Sequence, residues 1–322
     1  MTNWQISRKF RLEKIEGGIW EIRLPENMIS HGDLYKLLIR WEGGEGERIP
    51  SHATYVVQDE NTKIFSAKVW CPEKKFQWKY DKNVKYPAPL LIYEAHVGMA
   101  QEEERIGTYK EFTENILPWI KKLGYNAIQL MAILEHPYYG SFGYQVSSYF
   151  APSSRFGSPD DLKELIDTAH SLGLYVLIDI VHSHAAPNEV EGLSRFDGSY
   201  DLYFHKGKRG YHPLGSRLFD YSKKEVLRFL LSNLRYWMEE FHIDGFRFDG
   251  ITSMLYTHHG IGYDFVSYDD YFNESVDTDA LTYLALANKL VHSIKKTCNH
   301  HSRRRIRNAR AMLSSRKRRN WF

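Results

Sequence analysis

Two aspartates lie near the ends of predicted strands, where carboxylates commonly do chemistry. Asp179 closes the run LYVLID, and Asp249 closes IDGFRFD two residues after Arg247. Because side chains repeat along a strand with a period of two, Arg247 and Asp249 project from the same strand face. An arginine so placed keeps a carboxylate ionised and oriented, as a nucleophile requires. The alternative is that each aspartate only caps the following helix, which contributes about 1 kcal/mol.

Two histidines, in the segment HSH (182–184), follow the first of these aspartates. A His-x-His pair is able to ligate zinc, but no further acid or histidine stands at zinc spacing, and Cys71 and Cys298 are remote in sequence. We therefore predict no metal site and expect these histidines to hydrogen-bond a polar substrate. The sequence has no G-x-G-x-x-G after its first predicted strand and no G-x-S-x-G elbow, which disfavours dinucleotide binding and serine-hydrolase chemistry.

The elements that must position these residues alternate between strand and helix from residue 89 onwards. The predicted strands are LLIYEAHVG, YNAIQLMAI, LYVLIDIV and IDGFRFD, and the predicted helices cover 109–123, 159–172, 223–241 and 279–295. Regular βα alternation implies a parallel sheet in an α/β fold, either doubly wound or a barrel. In βα barrels the catalytic groups lie at the C-terminal ends of strands, but eight strands close a barrel and only four are predicted here.

The first 80 residues have a different pattern. The runs IWEIRLP, LYKLLIRWEG, ATYVVQD and KIFSAKVW alternate apolar and polar residues, and Gly, Asp and Asn separate them. This pattern predicts an incomplete antiparallel β-sandwich over 1–80, since complete sandwiches have about seven strands. A linker, KYDKNVKYPAP (79–89), connects it to the βα region.

Charge is unevenly distributed along the 322 residues. The net charge is +3, but residues 303–322 hold nine basic and no acidic residues, which leaves 34 basic and 40 acidic residues and a net −6 elsewhere. The body is therefore not predicted to bind nucleic acid. No apolar run is long enough to span a membrane, and no membrane partner is expected. The N-terminus lacks a secretory pattern and there are two cysteines, so a cytoplasmic location is expected.

Several segments resemble a known family. DIVHSH (179–184) and GFRFDGITS (245–253) resemble two conserved regions of the α-amylase superfamily, glycoside hydrolase family 13. More narrowly, the chain looks like the 1,4-α-glucan (glycogen) branching enzymes from about residue 10 to about residue 296, in segments such as YEAHVGM, FGYQVSSYFAPSSRFGSPDDLK and RGYHPLGSRLFDY. The segment SMLYTHHG favours branching enzymes over amylases and debranching enzymes.

This resemblance implies a fold and a set of residue roles. The fold is a glycogen-binding-type sandwich followed by a (β/α)8 TIM barrel, of which 89–296 would be the first half. Asp249 would be the nucleophile and Arg247 its orienting partner. By motif position, Tyr144, Asp179 and His184 would line the subsite of the sugar whose bond is cut.

The implied reaction moves a segment of an α-1,4-glucan, such as glycogen or an amylose-like chain, to a 6-hydroxyl, which makes α-1,6 branches in glycogen biosynthesis. It uses no organic cofactor. The configuration is retained through a covalent glycosyl-enzyme, and a second carboxylic acid protonates the leaving oxygen.

The last residues depart from the family. Its general acid lies on the fifth strand in a segment like AEDVSGMP, whereas residues 297–322 contain no Asp or Glu. No residue is therefore assigned the acid role, and we expect this chain to be inactive. One interpretation is a basic tail without fixed structure. The other is a frameshift, because codons exist for residues 299–310 that, read one nucleotide later, spell TITAEDVSGMP.

Alternative functions remain open at this point. The chain fits a non-catalytic α-glucan-binding fragment, and a hydrolytic amylase-like enzyme is the next alternative. A basic-tailed nucleic-acid binder is disfavoured by the acidic body.

Overall fold

The computed structural model describes residues 4–26, 28–80 and 89–296. Most of the predicted linker, and the whole of the predicted tail 297–322, lie outside these residues. No helix within the described ranges is long and apolar enough to cross a bilayer.

Short antiparallel strands make up the first 80 residues. They are β1 (Glu13–Lys14), β2 (Trp20–Glu21), β3 (Leu34–Tyr35), β4 (Leu37–Trp41), β5 (Gly44–Arg48), β6 (Val56–Gln58) and β7 (Phe65–Lys68). They form the hairpins β1-β2 and β4-β5 and a sheet of order β3-β7-β6. The sequence did not predict β5, whose residues GEGER carry turn signals. It forms because Gly43, with φ 81°, turns the chain back along β4.

The βα region contains eight further strands. They are β8 (Ile92–Ala95), β9 (Ala127–Leu130), β10 (Leu134–Glu135), β11 (Ser148–Pro152), β12 (Tyr175–Ile180), β13 (His184–Ala185), β14 (Arg217–Leu218) and β15 (Gly245–Phe248). A parallel sheet of order β15-β12-β9-β8 lies at its centre. Strands are added in chain order in one direction, without the reversal of strand order that defines a doubly wound sheet. The sheet is therefore of the TIM-barrel-related type.

Helices connect these strands. They are α1 (Tyr109–Glu111), continued through a π-helical turn into α2 (Leu117–Lys122), then α3 (Pro159–Ser171), α4 (Lys224–Glu240), α5 (Ile251–Leu255) and α6 (Thr278–Lys296). The four predicted helices are confirmed to within one residue at each end. α3 shows why. Ser158 and Asp161 form a capping box at its start, and Gly173 follows its end with φ 70°.

The main hydrophobic core lies between the parallel sheet and its helices. It includes Leu130, Ile178 and Trp237, all fully buried. A smaller cluster around Val56 and Phe65 belongs to the first 80 residues.

Side chains of the βα region hold the end of the first region in place. Asp167 Oδ1 on α3 accepts hydrogen bonds from the backbone N–H groups of Lys79, at 3.0 Å, and Tyr80, at 2.9 Å. The ring of Trp78 stacks on His242 with centroids 4.1 Å apart. The segment before the linker is therefore fixed against the βα region.

Candidate active site

An arginine joins the two strand-end aspartates at the carboxyl edge of the parallel sheet. Asp179 on β12 and Arg247 on β15 are register partners. Arg247 Nη1 lies 3.1 Å from Asp179 Oδ2 and 2.6 Å from Asp249 Oδ1. Asp249 follows β15 directly, and its backbone N–H donates to the carbonyl of Ile180 at 3.0 Å. One guanidinium thus orients both carboxylates.

Tyr144 reaches the same edge from the loop between β10 and β11. Its hydroxyl donates to Asp179 Oδ2 at 2.6 Å. The loop depends on Gly143, which has φ 89°, and a Cβ there would lie 1.9 Å from the carbonyl oxygen of Ala132. Only glycine tolerates both the positive φ and this close backbone approach. The glycine therefore lets the tyrosine fold over the sheet edge.

His184 ties the loop after β12 to the tyrosine loop. Burial lowers the pKa of His184, which favours the neutral imidazole. Its Nε2 lies 2.9 Å from the carbonyl of Tyr144, so Nε2 carries the proton and donates it. The other nitrogen, Nδ1, then accepts from the Ser183 hydroxyl at 2.8 Å. These bonds fix the tautomer and the ring orientation of His184.

Asp179 is the buried centre of this cluster. Burial raises its pKa to about 6, against the hydrogen bond from Tyr144 and the charge of Arg247, which lower it. Burial, and then the bond to Asp179, raise the pKa of Tyr144, so the phenol stays protonated and donates. Burial lowers the pKa of Arg247, but the charges of Asp179 and Asp249 outweigh it and raise that pKa overall.

Two members of the cluster were not singled out from the sequence. Gln129 on β9 donates from Nε2 to Asp179 Oδ1 at 2.8 Å and also lies 3.1 Å from Glu94 Oε1 on β8. Glu94 and Gln129 are register partners. The sequence signal that could have identified these two residues is a polar side chain within an otherwise apolar strand, Glu94 in β8 and Gln129 in β9. The polar row thus extends across all four strands.

His182 does not belong to the site, so the expectation that it binds a polar substrate is wrong. It is fully buried, and burial lowers its pKa to about 4. Its Nε2 donates to Asn233 Oδ1 at 2.9 Å, and its Nδ1 accepts from the Tyr283 hydroxyl. The ring turns inwards after β12 and joins the sheet to α4 and α6. No group of three or more His, Cys, Asp or Glu side chains in the described ranges is arranged to hold a metal ion.

The fold is related to that of α-amylase-type domains. Residues 92–214 match the family model described as the α-amylase catalytic domain. A putative α-amylase of Salmonella typhimurium is 25% identical with a TM-score of 0.58, over 75% of this chain and 38% of that one. The pullulanase SAP of Group B Streptococcus shares the fold, with 21% identity and a TM-score of 0.68 over 88% of this chain and 39% of that one.

Comparison with curated proteins identifies more similar relatives within the α-amylase type. The chain is 56% identical to the 1,4-alpha-glucan-branching enzyme of Emericella nidulans over 290 residues, 87% of this chain and 42% of the relative. It is 53% identical to that of Equus caballus over 88% of this chain and 41% of the relative. These matches place the chain in the α-amylase family, as a homologue of the 1,4-alpha-glucan-branching enzymes. It spans about two fifths of the length of the curated relatives it matches.

Proposed function

We propose that this chain is the part of a 1,4-α-glucan branching enzyme that holds the donor glucan and carries the nucleophile. The observation that carries the proposal is the contact of one guanidinium, that of Arg247, with both Asp179 and Asp249, beside the hydroxyl of Tyr144. A nucleophile, its orienting cation and a ring-binding wall thus share one sheet edge, where βα-barrel enzymes do their chemistry.

In the proposed reaction Asp249 attacks C1 of the glucosyl unit. Arg247 engages Oδ1, which leaves Oδ2 to form the new C1–O bond while the α-1,4 C1–O bond breaks. The leaving 4-oxygen takes a proton from a carboxylic acid. A 6-hydroxyl of an acceptor then attacks C1, gives up its proton to the same group, and releases Asp249. Two inversions at C1 retain the α configuration.

In this proposal the remaining residues of the cluster bind the glucosyl unit and hold one another in place. Tyr144 offers a ring face to the glucosyl unit, while its hydroxyl is held by Asp179. Asp179 and His184 line the same subsite and position Tyr144, since Asp179 accepts from its hydroxyl and His184 donates to its carbonyl.

The finer architecture is part of the same proposal. The antiparallel pairing in the first 80 residues supports a glycogen-binding-type β-sandwich, as an incomplete one. The chain-order sheet of four parallel strands supports 89–296 as the first half of a (β/α)8 barrel, since a full barrel has eight.

The general acid is not assigned to any residue of this chain. The sequence has no Asp or Glu after Asp279. A second candidate function is a non-catalytic α-glucan-binding chain with the same site. Both candidates predict α-glucan binding, and they differ in whether Asp249 forms a covalent bond to the sugar.

Calorimetric titration with maltoheptaose tests the binding common to both candidates. We expect the chain to bind maltoheptaose, and not cellohexaose, whose β-1,4 links give a different chain shape. Tyr144→Ala should weaken binding about tenfold, which corresponds to about 1.4 kcal/mol. Tyr138→Ala is the matched control, since Tyr138 lies in the same loop and is 70% exposed. Absence of maltoheptaose binding, or equal effects of the two variants, would contradict the proposal.

A further inference from the structure

The two carboxylate oxygens of Asp179 are held by different elements. Oδ2 accepts from the Tyr144 hydroxyl at 2.6 Å and from Arg247 at 3.1 Å. Oδ1 accepts from Nε2 of Gln129, on the neighbouring strand β9, at 2.8 Å. Because Asp179 is fully buried, these hydrogen bonds and the charges nearby decide how stable its ionised form is.

The Gln129 amide is itself fixed by two carboxylates. Its Nε2 also lies 3.1 Å from Oε1 of Glu94 on β8. An amide nitrogen carries two hydrogens and an ionised carboxylate only accepts, so Gln129 donates one hydrogen to Glu94 and one to Asp179. The reversed amide would turn its oxygen towards two carboxylates with no hydrogen between them. The amide therefore has one orientation, and it links the two acids.

Strand pairing sets this arrangement. Glu94 and Gln129 are register partners, and Gln129 also pairs with Leu177, two residues before Asp179. Because side chains alternate along a strand, Glu94, Gln129 and Asp179 all project from the same face of the sheet. Their contacts thus follow from the backbone of three adjacent strands rather than from a loop.

Charge is unbalanced along this row of polar residues. It holds the carboxyl groups of Glu94, Asp179 and Asp249, and the guanidinium of Arg247 contacts the last two. Burial is the largest cause of the raised pKa of Asp179, and the charges of Glu94 and Asp249 raise that pKa further. Gln129 donates a hydrogen bond, which favours the ionised form. Glu94 and Gln129 therefore act on Asp179 in opposite directions.

We propose that Glu94 and Gln129 are positioning residues that control the protonation of Asp179 from the β8–β9 side of the sheet. An ionised Asp179 holds both Arg247 and Tyr144 through one oxygen, and a protonated Asp179 loses part of its hold on the guanidinium. The inference rests on the proposed function, because it takes this cluster to be the active site. Neither positioning residue touches the glucosyl unit.

Carbon-13 NMR of the Asp179 carboxyl group tests this control directly. Glu94→Gln keeps an acceptor for the amide but removes the charge, so it should lower the titration midpoint of Asp179. Both acids bond one nitrogen, so their oxygens lie within about 6 Å of each other, and the expected fall is about 0.5 to 2 pH units. Glu94→Asp keeps the charge and should leave the midpoint closer to the wild-type value. Glu114→Gln, at an exposed acid on the π-helical turn before α2, is the matched control and should change nothing.

Gln129→Met should shift the midpoint in the opposite direction. Methionine has a similar length but no donor, so the ionised form of Asp179 loses a hydrogen bond and the midpoint should rise. A general disturbance of the fold would shift the midpoint the same way in both variants. A midpoint that rises or stays unchanged in Glu94→Gln, or that falls in Gln129→Met, would overturn the inference.

The consequence for the reaction is measured as the rate of covalent labelling by α-maltosyl fluoride at a series of pH values. In the wild-type chain this rate should rise with pH through the Asp179 midpoint, and its half-maximal pH should fall in Glu94→Gln and rise in Gln129→Met. If the NMR midpoints shift as expected but the labelling profile does not follow them, the two residues do not position the site and the inference is overturned. If the wild-type chain is not labelled at all, the proposed function is contradicted, and the NMR midpoints alone then support or overturn the control of Asp179.

Discussion

Asp179 and Arg247 are register partners on adjacent parallel strands, and the Arg247 guanidinium lies 3.1 Å from the Asp179 carboxylate. The same Nη1 atom lies 2.6 Å from Asp249. The arginine therefore couples a fully buried carboxylate, whose pKa is raised, to the proposed nucleophile. Strand pairing rather than a flexible loop sets this geometry, which makes it a stable base for chemistry.

Removal of the arginine charge should raise the pKa of Asp179 further. In the wild-type chain burial raises this pKa to about 6, and the charge of Arg247 opposes the rise. We therefore expect Arg247→Gln to shift the Asp179 titration to higher pH, measured by carbon-13 NMR of the carboxyl group. Arg235→Gln, at an exposed pair on α4, should leave the titration unchanged. An unchanged or lower value in Arg247→Gln would contradict the electrostatic account.

Asp179 should also make stability depend on pH. Its folded-state pKa is above the ordinary value of 3.8, so the folded chain binds this proton more tightly than the unfolded chain. The stabilisation is present below about pH 4 and is lost as the pH rises through about 6. Asp179→Asn resembles the protonated form and lacks this loss. The melting temperature of wild type minus that of the variant should fall as the pH rises across this window. A difference that stays constant or rises would contradict the assigned shift.

His182, which is fully buried, should stabilise the fold. His182→Ala removes the partner of both Asn233 and Tyr283, which are themselves buried. We expect it to lower the free energy of unfolding by about 2–5 kcal/mol, measured in urea, because it leaves a cavity and unpaired polar groups. Ser232→Ala, beside Asn233 in sequence but exposed, should change it by less than about 0.5 kcal/mol. A small effect of His182→Ala would mean that the network is not structural.

The contact between the first region and the βα region gives a further prediction. Asp167 accepts two backbone hydrogen bonds, from Lys79 and Tyr80, and is buried. Asp167→Ala should cost about 1–3 kcal/mol of unfolding free energy and speed proteolysis after residue 78, since two backbone N–H groups lose their carboxylate acceptor. Glu164→Ala, an exposed acid on the same helix, is the control. Unchanged proteolysis would show that other contacts hold this segment.

The sequence predicts much of the fold because local signals and tertiary packing agree. The capping box at Ser158 and the glycine at 173 bound α3 at the expected residues. The strand β5 was missed because Gly44 and Gly46 carry no side chain to mark a strand, and only pairing with β4 makes them extended. That pairing is a tertiary effect that no local pattern reports.

The site was predicted in part for a similar reason. Period-two alternation places Arg247 and Asp249 on one face, and their 2.6 Å contact follows from it. The participation of Gln129 depends on which strand lies beside β12, which the local sequence does not state. For His182 and His184 the local signal was identical, and the structure separates them into a buried structural residue and a site residue. The turn of the chain after β12 makes that difference.

The most direct test of the central claim is covalent capture of the nucleophile with α-maltosyl fluoride. Fluoride leaves C1 without needing a proton, so the step does not depend on the unassigned general acid. In retaining enzymes the same acid group later activates the second nucleophile, so without it the adduct should persist. After an acid quench and digestion, mass spectrometry should find a maltosyl ester on Asp249, absent from Asp249→Asn, while amylose alone gives no new α-1,6 links. A wild-type chain that binds maltoheptaose but gives no adduct, or one on another residue, would contradict the assignment of Asp249 as the nucleophile.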